Sequence, residues 1–154
     1  MGVSDPTGEA ADVIFIGIFT FAAVRGYQIA DFLKKRTKAV IVLGGLHASM
    51  NYREAVRHCD YVLLGEGDET ILLFLQALKG EIPMDFAGLA YQKEGKLVCT
   101  GYPSPTETFE TIADRNLVYR YQKMAGHNTI WPQVHASRGC PHNCDYCAVV
   151  RHFG

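Results

Sequence analysis

The first half of the chain alternates short apolar runs with segments of helical spacing. Asp12 to Thr20 is a continuous apolar run rich in β-branched residues; Ala39 to Leu43 and Tyr61 to Leu64 are shorter ones. Apolar runs without polar alternation suit strands covered on both faces, as in a parallel sheet. Ala22 to Arg36 has helical character. Val24, Tyr27, Ile29, Ala30, Phe32 and Leu33 can supply its buried side, and Lys34, Lys35 and Arg36 suit a last turn, where the helix dipole favours cations. A shorter helix is predicted from about Tyr52 to His58. A third, Glu69 to Lys79, carries an apolar stripe of Ile71, Leu72, Phe74, Leu75 and Leu78, with Asp68 placed to cap its start and Gly80 to end it. Strand and helix alternating three times is the pattern of a doubly wound α/β sheet.

After Gly80 the pattern changes. Gly88 to Gln92 and Lys96 to Thr100 flank Lys93-Glu94-Gly95 and read as an antiparallel hairpin on the sheet edge. Tyr102 to about Asn128 holds Pro103, Pro105, scattered Thr and few periodic apolar residues. It reads as a surface linker with a short helix around Asn116 to Met124. Trp131 to Ser137 is a further strand. The expected organisation is a disordered lead-in over 1–11 and a partial Rossmann-like α/β unit over 12–101. A linker over 102–129 and the start of a second unit over 130–154 follow.

Composition narrows this picture. The chain has 154 residues, 48% of them hydrophobic, and a formal net charge of −1. That is enough for one ordinary domain with a packed core. Both signs are spread along the chain, so nothing marks a nucleic-acid surface. No apolar run reaches the ~18 residues of a membrane span, and no basic-then-apolar start marks a signal peptide. Five cysteines, three of them clustered, suit a reducing cytoplasm better than a disulfide framework. Cys59 and Cys99 read as ordinary thiols.

Two groups of residues carry candidate chemistry. The first is at the strand ends: Thr20, then Gly44-Gly45, then Gly65-Glu66-Gly67. Ligands in open α/β sheets bind beyond the carboxyl ends of strands, and glycine lets backbone approach a ligand closely. Tight strand-to-helix turns prefer glycine as well, with or without a ligand. The second group is Arg138-Gly139-Cys140-Pro141-His142-Asn143-Cys144-Asp145-Tyr146-Cys147, with Cys140, Cys144 and Cys147 at C-x3-C-x2-C spacing. Three thiolates on one short loop fit a soft metal. Zinc would need a fourth ligand, with His135, His142 or His152 available, whereas a cubane iron–sulfur cluster on three cysteines keeps one iron open.

The cysteine spacing, the Tyr before the last Cys and the Arg-Gly before the first resemble the radical S-adenosylmethionine enzymes. That resemblance implies a four-iron four-sulfur cluster on Cys140, Cys144 and Cys147, S-adenosylmethionine chelated at the open iron, and Tyr146 against the adenine. Upstream, Leu43 to Ala48, Leu64 to Glu69 and Tyr27 to Asp31 resemble the later part of the cobalamin-binding domain that precedes the barrel in many such enzymes. On that likeness Thr20, Gly44 and Gly45 line the slot for the cobalamin nucleotide tail, with Gly65 and Glu66 at the next strand end. Gly17 stands where the family usually has a small polar residue. His47 lies on the wrong loop for a cobalt ligand, so a solvent-side or helix-capping role is expected for it.

The same resemblance implies a piece of a longer protein, lacking the first strand and helix of the cobalamin domain and most of the barrel. The activity implied for the whole is reductive cleavage of S-adenosylmethionine to a 5′-deoxyadenosyl radical, for cobalamin-dependent methyl transfer or rearrangement. Flavodoxin or ferredoxin would be the electron donor, and the substrate is unnamed. This chain alone is expected to be inactive, so no residue is assigned as catalytic. The competing reading is a cobalamin- or nucleotide-binding α/β module whose cysteines form a structural zinc clip.

Overall fold

The computed structural model describes residues 11–105, 114, 117, 139–142 and 144–153. The lead-in over 1–10, most of the linker, the helix expected around 116–124 and the strand expected over 131–137 lie outside those residues, as do His135, Arg138 and Asn143.

The three apolar runs form three parallel strands: β1 (Val13–Gly17), β2 (Val40–Gly44) and β3 (Tyr61–Leu63). They lie side by side in chain order, with Val13 opposite Val40 and Val42 opposite Tyr61. The hairpin follows as β4 (Leu89–Lys93) and β5 (Lys96–Cys99), antiparallel to β3 and to each other. It forms one edge of the five-stranded sheet, as its sequence predicts. Its two-residue loop is Glu94-Gly95, with φ of 52° and 74°, the positive pair a type I′ turn requires.

Helices cover both faces. Helix α1 (Ala23–Arg36) links β1 to β2, and α2 (Gly45–Met50) with α3 (Tyr52–Ala55) links β2 to β3. Parallel crossovers are right-handed, so two that step in the same direction across the sheet fall on the same face. That face is the larger core, with Ala23, Tyr27, Ala30, Ala48 and Ala55 packed on Ile41, Leu43, Val62 and Leu64. Helix α4 (Gly67–Leu78) leads into an antiparallel strand and takes the other face, where Phe74 packs with Val42, Leu63 and Leu89. Successive residues of β2 and β3 thus point to opposite cores, the period-two geometry of a strand.

Several expectations change. β1 ends at Gly17 rather than Thr20: the Ile18 N–H still bonds to the Gly44 carbonyl, but the chain then enters a 3-10 turn over Thr20–Ala22. A helix follows Gly45 at once, where a loop is expected, so α2 and α3 replace one helix over 52–58. Asp68 is not the N-cap residue: Glu66 holds that position, with no side-chain capping bond, and Asp68 and Glu69 sit in the first turn, where the dipole favours them. On α1 the buried residues are Ala23, Gly26, Tyr27 and Ala30, whereas Val24 is 72% exposed. At Gly26 the helix approaches the end of β1 closely: a Cβ there would lie 2.7 Å from Ile18 Cδ1. Cys59 is buried as an ordinary thiol, and Cys99 is exposed on β5.

Side-chain contacts fasten α1 to the end of α3. The Tyr27 ring stacks on His58, with centroids 4.4 Å apart, and His58 Nδ1 lies 3.0 Å from one Asp31 carboxylate oxygen. Lys34 and Asp60 pair at 2.9 Å, and Asp60 accepts the Ile41 N–H at 2.8 Å.

Candidate functional site

The carboxyl ends of the three parallel strands bring the predicted strand-end residues onto one rim. Gly17 and Gly44 are register partners on β1 and β2. A Cβ on Gly17 would meet nothing within 4 Å, and one on Gly44 would meet only the Leu63 carbonyl at 3.8 Å. The two glycines therefore leave a notch that side chains would fill.

Gly45 closes the notch from below. It holds φ +82°, and a Cβ there would sit 3.0 Å from the Ile18 nitrogen and 3.1 Å from its oxygen. That oxygen accepts the His47 N–H at 3.0 Å, so the start of α2 is tied to the chain leaving β1. The exposed Thr20 hydroxyl lies 3.2 Å from His47 Nδ1, and Asn51 Nδ2 donates to the His47 carbonyl at 3.2 Å. His47 Nε2 is buried without a partner among the described residues. His47 thus sits inside α2 and faces the Thr20 turn, rather than capping a helix or standing in solvent.

Gly65 and Glu66 stand differently. Gly65 holds φ +70°, and a Cβ there would meet Pro103 Cγ at 3.0 Å. Its N–H donates to the Ser49 hydroxyl at 3.1 Å, and the Tyr102 hydroxyl donates to the Ser49 carbonyl at 2.6 Å. The third strand end is therefore lined by the chain's own Tyr102-Pro103, which the sequence reading assigned to a linker. Glu66 is 9% exposed, and its carbonyl accepts the Thr70 hydroxyl at 2.7 Å. Ser49 and Tyr102 are organising residues that sequence reasoning missed. The only signal was an aromatic beside a proline right after the hairpin.

The cysteine loop starts at Gly139, with φ 75°. Cys140 and Cys147 are half-buried, Cys144 is exposed, and all three are free thiols. The Cys147 N–H donates to the Cys144 carbonyl at 3.1 Å, a turn that holds two of the three close in space. Tyr146 is 92% exposed. Among the described residues no three His, Cys, Asp or Glu side chains are assembled as a metal site. The donor set nonetheless has the right chemistry, three unpaired thiols on one loop of eight residues. Helix α5 (Val149–Phe153) follows and packs against α2 at the strand-end rim. There burial pushes the His152 imidazole below the ordinary histidine range, while the Glu66 carboxylate pulls it up. The helix that follows the cysteine loop is thus a neighbour of the strand-end rim.

Elsewhere, a cavity of about 380 Å³ is lined by Lys34, Arg57, Asp60, Tyr61 and Tyr91 at the opposite ends of the strands, and no predicted site residue lines it. No helix among the described residues is long and apolar enough to cross a membrane.

No family model matches the chain. It is 29% identical over 143 residues to the bacteriochlorophyllide d C-8(2)-methyltransferase of Chlorobaculum tepidum, covering 93% of this chain and 29% of that protein. An uncharacterized methyltransferase of Pyrococcus horikoshii is 29% identical over 153 residues, covering 93% of this chain and 32% of that protein. The anaerobic magnesium-protoporphyrin IX monomethyl ester cyclase of Synechocystis is 24% identical over 129 residues, covering 78% of this chain and 25% of that protein. The chain thus spans a quarter to a third of the length of these curated relatives. They are enzymes, and at low identity they support a relationship to the radical S-adenosylmethionine superfamily in the broad sense.

Proposed function

We propose that this chain is the junction of a radical S-adenosylmethionine enzyme, joining a cobalamin-type α/β slot to the cysteine loop that opens the radical domain. The observation that carries this reading is the set of three free cysteines at C-x3-C-x2-C spacing, followed by a helix that packs on the strand-end rim.

Cys140, Cys144 and Cys147, as thiolates, would hold a four-iron four-sulfur cluster. When bound, it supplies the electron that cleaves S-adenosylmethionine to a 5′-deoxyadenosyl radical, drawn in turn from a flavodoxin- or ferredoxin-type donor. The protein's own residues position and shield. Gly139 allows the chain to turn into the loop. Tyr146 offers an exposed ring to the adenine. Gly17, Gly44 and Thr20 leave a notch with a hydroxyl at its mouth, fit for the tail of a cobalamin. Methyl transfer is the favoured outcome in the intact protein, on the likeness to two methyltransferases.

The test is iron and sulfide content with electron paramagnetic resonance after anaerobic reconstitution, on the native chain and Cys144→Ala. The reading expects about four irons per chain and a reduced-cluster signal, both lost in the variant. Stoichiometric zinc, or no metal, overturns it.

A further inference from the structure

Beside the notch the described residues expose an aromatic surface that their own packing does not use. Phe19 is 59% exposed and Phe21 92%, one on each side of Thr20. Their rings are parallel, 6° apart, with centroids at 5.9 Å. Val24, 72% exposed, and Arg25 continue the same side one turn on, since residues three and four apart share a helix face. Among the described residues no carboxylate pairs with Arg25, and the first turn of α1 holds no acid. Large exposed apolar residues grouped in this way mark a binding surface.

We propose that Phe19, Phe21 and Val24 form a platform for the flat face of a conjugated tetrapyrrole, with Arg25 taking a free propionate carboxylate at its edge. The proposal rests on the enzymatic reading above and names its substrate class. Stacked aromatics match a planar π-face, and a guanidinium matches a carboxylate in a two-pronged geometry. A cobalamin could use the same aromatics, but its corrin periphery carries neutral amides, and its one anion, the phosphodiester, belongs to the nucleotide tail that the notch would take. Two of the similar enzymes are named for bacteriochlorophyllide and for magnesium-protoporphyrin monomethyl ester, and a monomethyl ester of a dicarboxylic macrocycle keeps one free carboxylate.

The experiment titrates the 154-residue chain with protoporphyrin IX, its dimethyl ester and hydroxocobalamin, reading the Soret or corrin band. All four side chains substituted are exposed, so circular dichroism should show native folding for Phe19→Ala, Phe21→Ala, Val24→Ala and Arg25→Ala. Phe21→Ala should weaken protoporphyrin binding about tenfold. Arg25→Ala should weaken protoporphyrin but leave the dimethyl ester unchanged. Equal binding by every variant, or none by the native chain, overturns the proposal. So does a Phe21→Ala loss confined to hydroxocobalamin, which assigns the platform to the corrin. Self-association in sedimentation that Phe21→Ala abolishes, without porphyrin binding, assigns the patch to a second copy and also overturns it. None of these titrations needs a cluster, so failure of the radical reading shows separately, as absent iron.

Discussion

The Cα of Gly45 lies against the backbone of Ile18 so closely that a Cβ would stand 3.0 Å from its nitrogen and 3.1 Å from its oxygen, at φ +82°. The contact locks the start of α2 to the chain leaving β1 and forms the floor of the rim notch. Neither atom of Ile18 can move freely: its N–H is bonded to the Gly44 carbonyl, and its carbonyl accepts from the His47 N–H. Gly45→Ala should therefore cost about 3 kcal/mol, adding left-handed strain to a backbone clash. Gly17→Ala has open space and an ordinary strand conformation, and should change stability by less than about 1 kcal/mol. Urea unfolding midpoints of the two variants check this contrast. Equal losses would mean that the Gly45 contact is not rigid.

Phe74 is the clamp of the smaller core. It is fully buried, and its ring meets Phe15 and Tyr61 edge-on at 6.1 and 5.1 Å. Phe74→Ala should destabilise by about 3–5 kcal/mol, a large part of the stability of a domain this size. Phe15→Ala removes a 41% exposed ring and should cost less than half as much. Chemical unfolding of both variants measures the difference.

Cys59 makes stability fall in alkali. Burial raises its thiol from the ordinary 9.0 to about 12. The folded chain keeps the proton where the unfolded chain has lost it, so the unfolded state binds fewer protons between those values. Stability then declines as pH rises from about 9 toward 12, by up to roughly 1.4 kcal/mol per unit. Cys59→Ala should remove that part of the slope, which paired unfolding curves at pH 8, 9 and 10 would reveal. At pH 8 the same thiol should resist alkylation until the chain is unfolded.

His152 gives the opposite sign. Burial lowers its imidazole below the ordinary 6.5, opposed by Glu66. Packing of α5 on α2 is therefore fully favoured above that value and weakens as pH falls through the folded value. The imidazole proton resonances should report it: His152 titrates below an ordinary histidine, and Glu66→Gln moves it lower still. An upward move in Glu66→Gln, or ordinary titration in the native chain, contradicts the contact.

Much of this arrangement is legible in the sequence where the signal is local. The apolar runs around Ile14, Ile41 and Val62 are strands, the Ile71–Leu78 stripe is a helix that Gly80 ends, and Glu94-Gly95 is the hairpin turn. The side of α1 that faces the core is read correctly at Tyr27 and Ala30 and misread at Val24. Ranking by hydrophobicity selects Val24, but the buried face runs through Ala23, Gly26, Tyr27 and Ala30, and Ile18 leaves no room for a side chain at Gly26. That misreading hides the part Val24 plays in the Phe19–Phe21–Val24 surface, since Val24 looks like a core residue. At the site, the glycines of the rim are legible as turns. That Gly17 and Gly44 open onto space while Gly65 is packed under Pro103 depends on what the rest of the chain places beside them.

The order of strands and helices, the hairpin and the three cysteine donors follow from residues within a few positions of each other, so the sequence determines them through backbone preference and spacing alone. The notch at Gly17 and Gly44, the contact of Tyr102 with Ser49, and the docking of α5 against α2 beside Glu66 join residues far apart in the chain. Only the folded sheet decides these, because close packing around Ile18, Ser49 and Glu66 selects one partner from the many that the sequence permits.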